Sequence, residues 1–218
     1  MKRILCVGYR DWALKIYDLL SRDSKNLYLI IRTKEQYKDS IVEDFQPELV
    51  LFYGWSWKVS ANVIAKYNCL MLHPSPLPLY RGGSPIQNQI IAGETMSAVT
   101  IFLMDAGIDT GGIVAQEQLS LEGNVKDIFE RIVEIGCKLS QQIIKSGFHV
   151  RQQDHSRATS YPRLEEKASE ITQRELESAS AEYLYNKIRM LTDPYPNAFI
   201  TTSDGKKLFI LDAKIEDS

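Results

Sequence analysis

Along residues 1–148, short apolar runs closed by a glycine or a polar turn alternate with helical patterns, and this alternation limits the fold more than any other feature. Ile4 to Val7 is a continuous apolar run ended by Gly8, the signature of a strand buried on both faces of a parallel sheet. Asp11 follows as a helix cap, with Trp12, Leu14, Ile16, Leu19 and Leu20 on one face. Leu27–Ile31 and Leu49–Tyr53 read as further strands, the second ended by Gly54 after a polar stretch that reaches Pro47. Val59 to Tyr67 reads as a short helix and Cys69 to Leu72 as a fourth strand. The expected fold is α/β, a mostly parallel Rossmann-like sheet with flanking helices. Such sheets bind ligands beyond the carboxyl ends of their strands.

Pro74, Pro76 and Pro78 stiffen the loop that leaves the fourth strand, because proline suits neither a helix interior nor a central strand. Ile86–Ala92 is a candidate helix, and Val99–Met104 and Ile113–Leu119 are strands around a turn-rich loop. Asn124 caps a long amphipathic helix whose buried side carries Ile128, Phe129, Ile132, Val133, Leu139 and Ile143, with Gly147 as its stop. The pattern divides the chain into a catalytic domain at 1–148, a polar surface linker at 149–170 and a short C-terminal region at 171–218. In that last part Thr172 and Glu175 form a capping box for a helix reaching about Leu191, and Asp193-Pro-Tyr-Pro196 breaks it. A β-hairpin over about 199–211 follows. It is too small to stand alone, so packing on a second copy, as a homodimer, is the expectation.

Composition narrows the function classes. The 26 basic and 28 acidic side chains give a net charge of −2, against a partner held by its phosphate backbone. Cys6, Cys69 and Cys137 stand far apart in apolar stretches, which suits buried thiols in a reducing cytoplasm. No apolar run approaches the roughly 18 residues of a membrane span, so no membrane partner is expected. Motifs for phosphate loops, dinucleotide binding, zinc hydrolysis, nucleophile elbows and calcium loops are absent, and His73, His149 and His155 do not cluster. No metal site is expected.

Two loops remain: His73-Pro-Ser-Pro-Leu-Pro-Leu-Tyr-Arg-Gly-Gly83, and Asp105-Ala-Gly-Ile-Asp-Thr-Gly-Gly112. In the first, a rigid loop at a strand end would fix an imidazole in a cleft. In the second, glycines admit a ligand close to the backbone, and Asp109 could orient or deprotonate that imidazole. Read alone, His73 is either catalytic or a hydrogen-bonded structural residue, and Asp109 either its partner or a turn former.

The run Cys69 to Ile86, then Val99 to Gly111, resembles the folate-dependent formyltransferases, and Leu184 to Phe199 is similar to the start of the C-terminal region in their tRNA and sugar branches. The resemblance implies transfer of a formyl group from 10-formyltetrahydrofolate to an amine by an Asn, His, Asp trio. His73 matches the histidine, as donor to the tetrahedral oxyanion, and Asp109 the aspartate. Met71 stands where the family has its asparagine, and a thioether donates no hydrogen bond. The folate is expected against Tyr53, Gly54, Trp55 and Trp57 and against Asp105 and Gly107, although each tryptophan could equally fill a gap between helix and sheet. Ser75, Tyr80, Arg81 and Gly82 are the substrate-side candidates, with a structural salt bridge the alternative for Arg81.

From Glu166 onward seven basic residues face ten acidic ones, which disfavours tRNA and leaves a nucleoside-diphosphate-linked amino sugar as the expected acceptor. A tRNA-type formyltransferase, or a binding module that lost its chemistry with the asparagine, are the alternatives.

Overall fold

The computed structural model describes residues 1–191 and 195–216. The expected alternation is present: β1 (Arg3–Val7), α1 (Asp11–Leu20), β2 (Leu27–Ile31), α2 (Asp39–Phe45), β3 (Leu49–Tyr53), α3 (Ala61–Lys66) and β4 (Cys69–His73). Strands β2, β1, β3 and β4 lie side by side in that order, all parallel, so their carboxyl ends share one edge. Then come β5 (Arg81–Gly82), α4 (Pro85–Ile91), β6 (Met96–Leu103) and β7 (Ile113–Ser120). Strand β6 pairs antiparallel with both β4 and β7. The loop at 104–112 is too short for the crossover that a parallel pair requires, which is why the sheet is only mostly parallel.

Each face of the sheet is covered. Ile4, Leu51, Leu70 and Ile101 pack with Ile16 of α1, Ile90 of α4 and Ile128 and Ile132 of α5 (Val125–Ser146). Leu5, Val7, Val50 and Phe52 pack on the other side against Val42 of α2 and Val63 of α3. This is the strand alternation at work, since neighbouring residues point to opposite faces. Helix α5 begins with a complete capping box, Asn124 accepting from the Lys126 and Asp127 amides and Asp127 accepting from the Asn124 amide. It ends at the expected Gly147, whose φ of 74° and ψ of −166° are backbone that favours glycine. All three cysteines are free and buried, and burial pushes the Cys69 thiol up to about 12.

Several local expectations need correction. Asp11 does not cap α1; it is the first helical residue, where its charge favours the helix dipole, and Arg10 precedes it without a side-chain cap. The buried face of α1 is Ala13, Ile16, Tyr17 and Leu20, with Trp12, Leu14 and Leu19 only half-buried. Helix α2 went unread because Val42 is its one buried residue, too little for a periodic signal. The expected long helix after Thr172 is two, α6 (Gln173–Ser178) and α7 (Ala181–Arg189), because Ser180 caps a new start by accepting from the Tyr183 amide. Asp193 and Pro194, expected to break it, lie outside the described residues.

The final hairpin is β9 (Ala198–Thr201) and β10 (Lys207–Ile210), turning at Gly205. Its first strand packs on this same chain: Ala198 and Phe199 are buried, and the Ile171 amide donates to the Phe199 carbonyl at 2.7 Å. Strand β8 (Ser160–Tyr161), in the stretch read as linker, pairs with β5. Among the described residues no helix is long and apolar enough to cross a membrane.

A buried ion pair helps to fasten the C-terminal region. Lys187 is buried, and its Nζ reaches Glu175 Oε1 at 2.6 Å and the Glu170 carbonyl at 2.5 Å. Burial alone would raise the Glu175 pKa, but hydrogen bonds from Lys187, from the Thr172 amide and hydroxyl and from Tyr183 hold it at about 2. A carboxylate depressed on folding contributes stability above its unfolded pKa and loses it as pH falls through the folded one. Glu175→Gln is therefore expected to melt lower than the wild type at pH 6, by on the order of 1–2 kcal/mol after solvent screening. The gap should close between about pH 4.5 and 2. A pH-independent gap in thermal melts would contradict this.

Candidate active site

The two loops singled out by sequence meet at the carboxyl end of β4. His73 is the last residue of β4, paired in register with Thr100 of β6, and Asp109 lies in the loop between β6 and β7. His73 Nδ1 and Asp109 Oδ2 are 3.6 Å apart, and both side chains are buried. The loop returning from the prolines completes the arrangement. The Gly82 amide donates to Asp109 Oδ2 at 2.8 Å, and the Tyr80 carbonyl lies 2.8 Å from His73 Nε2. A carbonyl only accepts, so Nε2 carries the hydrogen and the lone pair of a neutral ring sits on Nδ1, facing the carboxylate. A proton taken up at Nδ1 would lie between ring and carboxylate, where Asp109 stabilises the resulting cation. In this geometry Nε2 is engaged, so it is not free for the expected role of oxyanion donor.

Asp109 has a φ of 55°, left-handed backbone that costs a non-glycine residue energy, so the surrounding loop has to impose it. Asp105 does part of this, accepting from the Gly107 amide at 3.0 Å and from Thr110 Oγ1 at 2.5 Å. The remainder comes from a residue that sequence reading missed. Gln153 donates to the Asp109 and Gly111 carbonyls, and it lies in the stretch read as a surface linker. Residues 149–163 are largely exposed, yet Arg151 pairs with Ile113 and Tyr161 with Gly82. A glutamine in a polar run carries no periodic signal that could have marked it.

The substrate-side candidates turn out to brace the loop. Ser75 is fully buried, its Oγ donating to the Leu79 carbonyl and its own carbonyl accepting from Thr100. The Tyr80 ring stacks on Tyr161 at 5.1 Å, and its hydroxyl donates to Glu94. Arg81 is buried, donating to Gln153 Oε1 and His155 Nδ1, so neither a free contact nor a salt bridge describes it. Gly82 is pressed against the Tyr161 carbonyl, which a Cβ there would approach to 2.3 Å.

The folate-side candidates divide. The Tyr53 side chain turns into the core toward α5, where its hydroxyl meets Ser140 at 3.0 Å and burial pushes the phenol up. Strand parity settles this: Phe52 points to the opposite face. Gly54, at φ 60°, lies against the Arg10 and Ala13 side chains. Trp55 is buried against Tyr37, Phe52 and Val59, so gap filling describes most of it, but its Nε1 is buried without an acceptor. Trp57 is half-buried, 4.7 Å from Trp55 and 4.8 Å from the Tyr9 ring. A half-buried aromatic face beside an unanswered N–H fits a flat heteroaromatic ring that carries acceptors better than a hydrocarbon.

Met71 is half-buried and, two residues before His73 on the strand, shares its face. It packs on Leu77, Phe102 and Ile113 beside Met104. Asn68 cannot replace it, because its amide donates to the Glu48 carbonyl at the start of the strand. Among the described residues no three His, Cys, Asp or Glu side chains converge as metal ligands.

Residues 23–139 match the family described as formyl transferase. The chain is 32% identical over 199 residues to the methionyl-tRNA formyltransferase of Carboxydothermus hydrogenoformans, covering 86% of this chain and 63% of that relative. It thus spans less than two thirds of that relative's length. The structure of a methionyl-tRNA formyltransferase from Clostridium thermocellum superposes with a TM-score of 0.86 at 28% identity, covering 96% of this chain and 97% of the other. A sugar N-formyltransferase from a Shewanella species covers both chains fully with a TM-score of 0.76; at 15% identity it speaks for the fold alone.

Proposed function

Because the chain belongs to the formyl transferase family, we propose that it moves a formyl group from 10-formyltetrahydrofolate to the amine of a nucleoside-diphosphate-linked amino-deoxy sugar. The observation that carries the reading is the buried approach of His73 to Asp109 at the carboxyl edge of the sheet. Formyltetrahydrofolate, the donor of this family, supplies an activated formyl carbon. Trp57 and the Trp55 N–H, with the Asp105–Gly107 turn, are the groups that would hold its ring. As the amine bonds to the formyl carbon, His73 accepts its proton at Nδ1 and Asp109 stabilises the imidazolium; the bond from that carbon to N10 of the folate then breaks, and the proton passes to N10 to release tetrahydrofolate. Burial of both groups excludes water that would compete as acceptor.

Charge favours the sugar nucleotide over tRNA. The chain carries −2 overall with an acidic surplus after Glu166, a poor surface for a nucleic-acid backbone. Arg81 is buried with only neutral acceptors within reach among the described residues, and its field would favour a diphosphate nearby. The relatives named for tRNA support the other acceptor, and length does not separate the two, since the Clostridium structure matches nearly end to end. The outer strand of the hairpin leaves Leu208 and Phe209 exposed, with Leu211 exposed just beyond it, which supports a homodimer. The test is incubation with 10-formyltetrahydrofolate and, in parallel, nucleotide-linked 3-amino and 4-amino sugars or methionyl-tRNA, read by mass spectrometry. Formylation of an amino sugar is expected; formylation of the tRNA alone would overturn the choice of acceptor.

Met71→Asn is expected to change turnover by less than about tenfold, equal to roughly 1.4 kcal/mol. The position is built as an apolar wall of Leu77, Phe102 and Ile113, so a new amide there finds no support and should also lower the melting temperature. A larger rise would show that the protein as it stands lacks a donor it needs.

A further inference from the structure

We propose that Gln153 is the positioning residue of the site, holding Asp109 at His73 without touching the reacting groups itself. The inference rests on the reading of His73 and Asp109 as the reacting pair. Gln153 is 5% exposed, and its amide is fully used. Nε2 donates to the Asp109 carbonyl at 2.9 Å and to the Gly111 carbonyl at 2.6 Å, while Oε1 accepts from Arg81 Nε at 3.2 Å and Nη2 at 2.6 Å. Two donors and two acceptor sites are the whole capacity of such a side chain. Its orientation is dictated, because carbonyls only accept and a guanidinium only donates.

What Gln153 holds is the part of the site that would otherwise relax. The two carbonyls flank the strained turn at Asp109, whose φ is 55°. Arg81, on the other side, lies between Tyr80, whose carbonyl receives His73, and Gly82, whose amide donates to Asp109. One side chain therefore clamps the histidine loop to the aspartate loop from outside. The His73–Asp109 separation of 3.6 Å leaves little tolerance, since a misplacement of about 1 Å can cost about a hundredfold in rate.

Two substitutions separate this role from simple bracing of Arg81. Gln153→Met removes both sets of hydrogen bonds. Gln153→Glu keeps acceptors for Arg81 but turns a carboxylate oxygen toward the two carbonyls. Both variants are expected to lose about tenfold or more in kcat, with KM for donor and acceptor within about threefold. In both, the Gly82 amide proton should move upfield in a nitrogen–proton NMR spectrum as its bond to Asp109 lengthens; this readout needs no substrate. Gln152→Met, at the exposed neighbour, should change neither. Full kcat in Gln153→Glu would overturn the proposal, assigning Gln153 to Arg81 alone, and so would an unmoved Gly82 signal in Gln153→Met. If the wild type formylates no acceptor while the Gly82 signal moves in both variants, the positioning role is supported and the proposed function fails.

Discussion

His73→Ala is expected to lower turnover by about 10²- to 10⁴-fold while KM for donor and acceptor changes little, the usual scale for loss of a positioned proton-transfer group. The ring has two neighbours suited to proton transfer: a carboxylate 3.6 Å from Nδ1 and a carbonyl that fixes the hydrogen on Nε2. Removing it leaves the amine proton without an acceptor, so the loss falls in kcat. Asp109→Asn should show a smaller loss in the same direction, because the imidazolium forms without its counter-charge. An unchanged rate for His73→Ala at saturating substrate would make the histidine a brace for the Tyr80 loop, the structural alternative for a histidine at a strand end.

Gly111→Ala is expected to destabilise the protein by about 3–5 kcal/mol, a drop in melting temperature on the order of 10 °C for a chain of this size. A Cβ there would lie 1.7 Å from the Leu103 carbonyl oxygen, backbone against backbone, and Leu103 is itself fixed by its amide bond to the Gly112 carbonyl at 2.9 Å. Nothing flexible can yield. Activity should fall with stability, since the Gly111 carbonyl is one of the two that Gln153 holds. Gly147→Ala is the control. Its φ of 74° and ψ of −166° are backbone that favours glycine, but nothing lies within 4 Å, so a smaller loss of about 1–3 kcal/mol is expected. Equal melting temperatures for the two variants would contradict the packing described at the β6–β7 loop.

The strands that position the site were legible because each is a nearly pure apolar run with a turn behind it; β2 and β3 fall at the expected residues. So were the two loops, since prolines after His73 and glycines around Asp109 leave little choice of backbone. The direction of individual side chains was less legible. Tyr53 and Arg81 look like ligand contacts in one dimension, but strand parity turns the first into the core, and partners some seventy residues away claim the second. Gln153 was invisible for the same reason, its partners being Arg81 and two backbone carbonyls with no trace in local pattern. The break at Ser180 was present as a capping residue, yet the apolar rhythm on both sides concealed it.

The most direct test is a single-turnover reaction with enzyme in excess of isotopically labelled 10-formyltetrahydrofolate and an amino-sugar nucleotide as acceptor. Tetrahydrofolate and N-formylated product are followed together in wild type and His73→Ala. Appearance of both in equal amounts, with the label in the product and the rate lost in the variant, is the predicted result. Release of labelled formate without product, or transfer that proceeds equally well without His73, would contradict the account.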